Sequence, residues 1–246
     1  MMKQGFYTIQ ENAPLAGGVY RMRLGGDTSA IARPGQFVNI RLEGRFLRRP
    51  ISVFDWDGDS FTIIYKVLGA GTEQMSRYLP GRELDVLTGL GNGFDPSPAG
   101  DTPLLIGGGV GTPPLYALAK ELLDAGRNVT AVLGFNSARD VFGEAEFSAL
   151  GVNTVIATAD GSYGVRGFVT DAMAELDYGY FYACGPEPML RAVWRASKTS
   201  GQLSFEERMG CGFGACMGCT CRTITGYKRI CRDGPVLRKE EIAWDD

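Results

Sequence analysis

Apolar and polar residues alternate over six short stretches in the first part of the chain: Gly5–Gln10, Val19–Leu24, Gln36–Leu42, Ile51–Trp56, Phe61–Val67 and Glu83–Thr88. A period of two marks a strand with one buried face. Turn-forming residues separate the stretches, among them Gly17-Gly18, Gly25-Gly26-Asp27, Pro34-Gly35, Asp57-Gly58-Asp59 and Pro80-Gly81. Short strands at this spacing predict a small antiparallel β-barrel over residues 1–97, interrupted by a helix at Glu73–Leu79.

From Asp101 onward the pattern becomes strand and helix in turn. Strands are expected at Pro103–Ile106, Val129–Gly134, Thr154–Thr158 and Tyr178–Ala183. Helices are expected at Pro114–Ala125, Val141–Leu150, Val169–Glu175 and Pro186–Ser200. Interleaving of this kind predicts a doubly wound parallel α/β domain over residues 98–203, with ligands at the carboxyl ends of its strands. Residues 204–246 form a third, small module. It is too short to bury a full core, so a metal site is expected to do much of its folding work. Its polar tail, Lys239–Asp246, is expected to dock on a partner or fray.

Composition narrows the function more than the fold. A net charge of −3 makes no case for nucleic acid or an anionic membrane. No apolar run reaches the roughly 18 to 20 residues that span a bilayer. The N-terminal MMKQGFYTIQ lacks the apolar core of a signal peptide, so a cytoplasmic protein is expected. The chain contains 0 histidines. That excludes a Ser-His-Asp triad, a histidine base and a histidine metal ligand, and it points to bound cofactors as the carriers of any chemistry.

Five of the 6 cysteines lie between Cys211 and Cys231. Cys211, Cys216 and Cys219 have the spacing C-x4-C-x2-C, and Cys231 follows after eleven intervening residues. This three-plus-one arrangement is how plant-type ferredoxins hold a [2Fe-2S] cluster. Gly210, Gly212, Gly214 and Gly218 suit a loop that wraps a cluster and turns amide groups toward its sulfurs. A structural zinc site would more often use two C-x2-C pairs, and a disulfide knot belongs to secreted proteins. Cys221 is surplus to a four-thiolate set: either a spare buried thiol or a ligand exchanging roles with Cys219.

Four further motifs bear chemistry. Arg49-Pro50-Ile51-Ser52 offers a guanidinium fork and a hydroxyl, although an arginine before a proline turn is also ordinary surface. Gly69-Ala70-Gly71-Thr72 offers free amides to a phosphate, with Thr72 alternatively a simple N-cap. The loop Gly107-Gly108-Gly109-Val110-Gly111-Thr112-Pro113-Pro114 lets a dinucleotide approach the backbone, and a tight strand-to-helix turn also wants glycine. Cys184-Gly185-Pro186-Glu187-Pro188-Met189 follows the last strand, where Cys184 alone would read as packing.

The order R-P-I-S, then I-Y-K-V, then G-x-G-T resembles the flavin domain of the ferredoxin–NADP reductase superfamily. The resemblance implies FAD contacts at Arg49, Pro50, Ile51, Ser52, Ile64, Tyr65, Lys66, Gly71 and Thr72. GGGVGTPP paired with CGPEPM resembles the pyridine-nucleotide domain of the same superfamily. That implies NAD contacts at Gly108, Gly109, Gly111, Thr112, Cys184, Gly185 and Pro186. Arg139 either serves a 2′-phosphate or is an ordinary exposed arginine, so NAD and NADP both stay open. With E-R-M-x-C-G-x-G-x-C-x-x-C and C-x-D-G-P-V added, the whole chain resembles the electron-transfer subunits of NAD-dependent (type B) dihydroorotate dehydrogenases. Cys221 and the eleven-residue spacer are departures from that pattern.

This resemblance implies a [2Fe-2S] cluster on Cys211, Cys216, Cys219 and Cys231. It also implies an FMN-containing catalytic partner in a heterotetramer of two of each, and a role in pyrimidine synthesis. Electrons from dihydroorotate would pass through the cluster and FAD to NAD+, with no side chain acting as acid or base. Related subunits of sulfide dehydrogenases, or of transhydrogenases linking NADH, NADPH and ferredoxin, share the same build. A zinc-holding binding module on a nucleotide-sensing reductase fold is the alternative of a different class.

Overall fold

The computed structural model describes residues 2–244. Met1, and Asp245 and Asp246 at the end of the polar tail, lie outside the described residues.

The alternating N-terminal stretches close into a six-stranded antiparallel barrel. Its strands are β1 (Lys3–Ala16), β2 (Val19–Gly25), β3 (Phe37–Ile40), β4 (Arg49–Trp56), β5 (Ser60–Lys66) and β6 (Glu83–Leu90). They pair in the order β1-β2-β5-β4-β3-β6. Inward residues such as Met22, Val38, Ile40, Ile63 and Val86 fill the interior. The helix α1 (Ala70–Ser76) begins and ends three residues before the expected span, because Gly69, not Thr72, is its N-cap. Thr72 stands at the third helical position, where its hydroxyl accepts the Leu68 amide at 3.0 Å.

The second part is a parallel sheet of β7 (Pro103–Gly108), β8 (Thr130–Phe135), β9 (Asn153–Thr158), β10 (Val165–Arg166), β11 (Tyr180–Cys184) and β12 (Gly201–Ser204). The helices are α2 (Pro114–Asp124), α3 (Glu144–Ala149), α4 (Val169–Met173) and α5 (Glu187–Ala196). Successive strand residues face opposite sides. Leu105, Ala131, Leu133 and Tyr182 pack with Leu115, Leu118 and Phe147 of α2 and α3. Leu104, Ile106, Val132 and Phe181 pack with Ala172, Leu190 and Val193 of α4 and α5. That is the doubly wound arrangement.

The barrel and the sheet share a core. Phe54 and Ile64 of the barrel pack with Leu115 and Leu118 of α2. The Phe54 and Tyr116 rings stack at 4.2 Å. Lys120 Nζ donates to Asp55 at 2.7 Å, and Arg21 pairs with Glu146.

The C-terminal segment does not stand apart. The hairpin β13 (Thr220–Thr223) and β14 (Gly226–Arg229) follows the cysteine loop. The last strand, β15 (Val236–Arg238), then joins the edge of the seven-stranded sheet antiparallel to β12. Cys219, Ile230, Cys231 and Ile242 therefore share a core with Leu104 and Phe181. The described part of the tail is folded as well: Trp194 Nε1 donates to the Lys239 carbonyl at 3.1 Å, and Trp244 packs on Trp194 and Phe205 at 5.8 and 5.5 Å.

Candidate redox site

The four cysteines come together as two pairs. The Cys211 and Cys216 amides each point at the other's sulfur at 3.4 Å, and the Ala215 amide reaches Cys211 Sγ at 3.2 Å. The Cys231 amide points at Cys219 Sγ at 3.4 Å. Backbone conformation makes this aim possible: Gly212 and Gly214 have φ of 79° and 91°, and Met217 is held at 62°. A positive φ at a methionine costs about 1–2 kcal/mol. It sits in the turn that directs the Gly218 amide toward Cys216 Sγ at 3.5 Å.

The pairs differ in surroundings. Cys216 is exposed and Cys211 half-buried, whereas Cys219 and Cys231 are buried. Burial raises the Cys211 thiol, but the amides of Cys216, Phe213 and Ala215 outweigh it and bring the pKa down to about 6. Burial, then the neighbouring Cys219, pushes Cys231 up to about 12. Two thiols enclosed together suit a metal centre, which releases thiol protons on binding. Among the described residues, no group of three or more Cys, Asp or Glu side chains surrounds one point as a single metal ion requires. Two thiol pairs would offer two ligands to each of two irons.

Two asparagines fasten the C-terminal segment to the barrel. Asn39 of β3 donates to the Cys211 carbonyl at 3.3 Å. Its Oδ1 is buried without a partner, and a Cβ on Gly212 would collide with its Nδ2. Asn39 faces Pro50 across the β3–β4 ladder, so it stands between the Cys211 carbonyl and the Arg49–Ser52 strand. Asn92, after β6, exchanges hydrogen bonds with Val236 at 2.8 and 3.1 Å. The sequence reading missed both. The available signal was an amide inside the otherwise apolar strand Phe37–Ile40.

The Arg49 guanidinium lies over Gly71, where any Cβ would collide with it, so the first flavin motif and the Gly71-Thr72 turn are adjacent. Arg49, Pro50, Ile51, Ser52 and Lys66 are half-buried. The Ile64 and Tyr65 side chains turn away into packed cores, and the Tyr65 hydroxyl donates to Asn12 at 2.9 Å. These two positions offer backbone, not side chain, to a ligand.

The two nucleotide motifs meet at the carboxyl ends of β7 and β11. Gly111 rests directly on the Cys184 carbonyl, and Gly108 lies against Met189. Gly109 has open space where a Cβ would stand and a φ of 51°. Thr112 Oγ1 is buried without a partner beside Gly107. A backbone cradle with an unpaired hydroxyl fits a dinucleotide. Burial pushes the Cys184 thiol up to about 12, only partly offset by its hydrogen bond with Ser204.

A cleft of about 620 Å³ opens between the barrel, the sheet and the C-terminal segment. Arg49 and Pro50 line it from the barrel, Gly185 and Pro186 from the sheet, and Cys221 from β13. Burial raises the Cys221 thiol, with Glu207 adding to the shift. A barrel and a doubly wound sheet meeting at a cleft, with a C-terminal segment that carries two cysteine pairs, define a reductase-type oxidoreductase with an iron–sulfur domain.

Comparison with known proteins agrees. Residues 206–243 match the iron–sulfur cluster binding domain of dihydroorotate dehydrogenase B, and residues 105–195 match the oxidoreductase NAD-binding domain. The chain is 44% identical to the dihydroorotate dehydrogenase B (NAD(+)) electron transfer subunit of Geobacillus sp. (strain WCH70), covering 98% of this chain and 99% of that one. Among solved structures it resembles an NADH-dependent reduced ferredoxin–NADP oxidoreductase of flavin-based electron bifurcation, with a TM-score of 0.88, 32% identity, and 97% and 90% of the two chains covered. A ferredoxin NADP+ reductase from Neisseria gonorrhoeae with bound FAD and NADP shares the fold at a TM-score of 0.69 and 17% identity, over 79% of this chain and 90% of that one. The chain belongs to the family of dihydroorotate dehydrogenase B (NAD+) electron transfer subunits. As the family's name states, such a subunit works with a catalytic partner. No helix among the described residues is long and apolar enough to cross a membrane.

Proposed function

We propose that this chain carries electrons from an FMN-containing catalytic subunit that oxidises dihydroorotate to NAD+, within a cytoplasmic heterotetramer of two copies of each. The observation that carries the reading is the cleft where Arg49-Pro50 of the barrel meets Gly185-Pro186 of the sheet, with Cys221 of the C-terminal segment on its wall.

Arg49, Pro50, Ile51 and Ser52, the backbone of Ile64, Tyr65 and Lys66, and the Gly71-Thr72 turn would hold FAD. Gly108, Gly109, Gly111, Thr112 and Cys184–Pro186 would hold NAD. Cys211, Cys216, Cys219 and Cys231 would hold a [2Fe-2S] cluster. When bound, the flavin supplies the exchange between single electrons and a hydride. The chain's own residues supply position. Amide groups stabilise the thiolates, Asn39 fixes the loop against β3, and the neutral Cys184 thiol adds no charge beside the nicotinamide end. The exposed Cys216, flanked by exposed Phe213 and Met217, gives the cysteine loop a partly apolar face for the partner.

Anaerobic mixing with the FMN subunit should give dihydroorotate-driven NAD+ reduction in a complex whose native mass equals two of each. A mixture that holds flavin and iron yet ignores dihydroorotate would overturn this reading. The likeness to the ferredoxin–NADP oxidoreductase supports a second one, in which the partner is a larger flavoprotein with further iron–sulfur clusters; ferredoxin- and NADPH-dependent turnover would then replace the dihydroorotate activity.

Asn39→Leu should keep the fold but slow dihydroorotate-driven NAD+ reduction about 10- to 100-fold, the usual effect of losing a group that orients a metal ligand. NADH-to-dye activity should hold. Stopped-flow comparison of the two rates tests the joint, and equal rates in variant and wild type would remove Asn39 from it.

A further inference from the structure

The loop between β3 and β4, Arg41-Leu42-Glu43-Gly44-Arg45-Phe46-Leu47-Arg48, has no role in the contacts assigned above beyond the edge of the cleft. Phe46 is 101% exposed, the most exposed large apolar side chain among the described residues. The loop is anchored. Gln74 of α1 donates to the Glu43 carbonyl at 3.0 Å, Arg45 Nε donates to the Gln74 side chain at 3.2 Å, and Arg45 Nη2 reaches the Ala70 carbonyl at 3.4 Å. These contacts hold Arg45, and Phe46 next to it, along the turn of Gly71 and Thr72.

Charge separates the loop's arginines into two kinds. Arg48 makes a two-pronged contact with Asp85 at 2.9 and 3.0 Å, and Arg41 lies 3.7 Å from the same carboxylate. Arg45 and Arg49 have no carboxylate within ion-pair distance among the described residues. Their guanidiniums touch only neutral groups: the Gln74 amide and the Ala70 carbonyl for one, the Leu47 and Arg48 carbonyls for the other. Two uncompensated guanidiniums, with an exposed phenyl ring between them in sequence, suit a ligand that carries two phosphates and a base. A guanidinium fork matches phosphate, and a ring face matches a purine.

We infer that Arg45 and Phe46 form the adenylate end of the flavin dinucleotide site, with Arg45 on the second phosphate and Phe46 stacked on adenine. This inference rests on the flavin reading of Arg49–Ser52. It supplies the half of the ligand which that motif does not reach.

The test compares FAD with FMN, which lacks the adenylate, on the flavin-stripped full chain. Phe46→Ala should weaken FAD about tenfold, the size of one lost base–aromatic stack, and leave FMN affinity unchanged. Phe46→Tyr should restore FAD. Arg45→Gln should weaken FAD in the same selective way. Phe46→Trp gives a second readout: ADP should quench the new indole emission, and adenosine-free pyrophosphate should not. If the wild-type chain fails to bind FAD, the flavin reading and this inference fall together. If the wild type binds FAD and Phe46→Ala binds it equally, or ADP leaves the indole unquenched, the flavin reading stands and the adenylate subsite is overturned.

Discussion

Cys216→Ser should abolish dihydroorotate-driven NAD+ reduction while the chain still passes electrons from NADH to a dye. Cys216 is the exposed member of the outer thiol pair. Its sulfur already receives the amides of Cys211 and Gly218 at 3.4 and 3.5 Å, a setting prepared for an anionic soft ligand. An alcohol oxygen in the same place is a poor ligand for iron in a sulfide cluster. The substitution touches neither the Arg49–Ser52 motif nor the Gly107–Thr112 loop, so the proposed nucleotide and flavin contacts stay whole. Cys211, Cys219 and Cys231 should behave alike, with Cys219 and Cys231 also losing stability because they are part of a packed core. Cys221→Ser should keep the cluster, since the Cys231 amide approaches Cys219, not Cys221, and Cys221 lines the cleft instead. Visible absorption, electron paramagnetic resonance and the two activities measure all of this together. Full coupling retained in Cys216→Ser would remove it from the ligand set.

Most of the architecture was legible because the pattern changes near Asp101 from period-two stretches to strands and helices in turn. What escaped were segments shaped by distant partners. β1 was expected to stop at Gln10, yet it continues to Ala16 through bulges near Glu11 and Pro14. The polar Asn12 is held there by hydrogen bonds to Met75, Tyr78 and Tyr65, which local pattern cannot reveal. β12 escaped for the same reason. Gln202 is buried, and its amide is satisfied by the Asp95 backbone at 2.7 and 2.9 Å, so a strand reads as a polar loop. α3 starts at Glu144 instead of Val141 because Gly143 is left-handed with φ of 84°. α5 ends at Ala196, short of the expected Ser200, as Ser197 turns to extended backbone.

The site divides in the same way. Residue types and spacings named the cysteines, the glycine loops and the R-P-I-S stretch, because each needs its own chemistry within a few positions. They did not show that β15 returns to the sheet edge and buries Cys219 and Cys231 in the nucleotide domain's core. Nor did they show that Ile64 and Tyr65 turn their side chains inward. Those facts depend on which strands become neighbours, and Asn39 beside Cys211 spans 172 positions.

Gly111→Ala should produce the opposite functional split from Cys216→Ser. Gly111 closes the turn between β7 and α2 and packs on the Cys184 carbonyl and the Gly185 Cα. A methyl group there meets backbone, not a movable side chain. The glycine loop and the Cys184–Pro186 segment must therefore separate, and overpacking of this kind costs about 1–3 kcal/mol. Both halves of the proposed nicotinamide site would move apart at once, so NADH-to-dye activity and dihydroorotate-driven NAD+ reduction should fall together, chiefly through a raised KM for the nucleotide. The cysteine loop is fastened elsewhere, through Asn39, and the segment after Cys231 through Asn92, so the visible spectrum of the cluster should survive. Thermal unfolding, nucleotide KM and absorption on one preparation separate these effects. An unchanged KM in a folded Gly111→Ala chain would mean that the nucleotide does not lie over this loop.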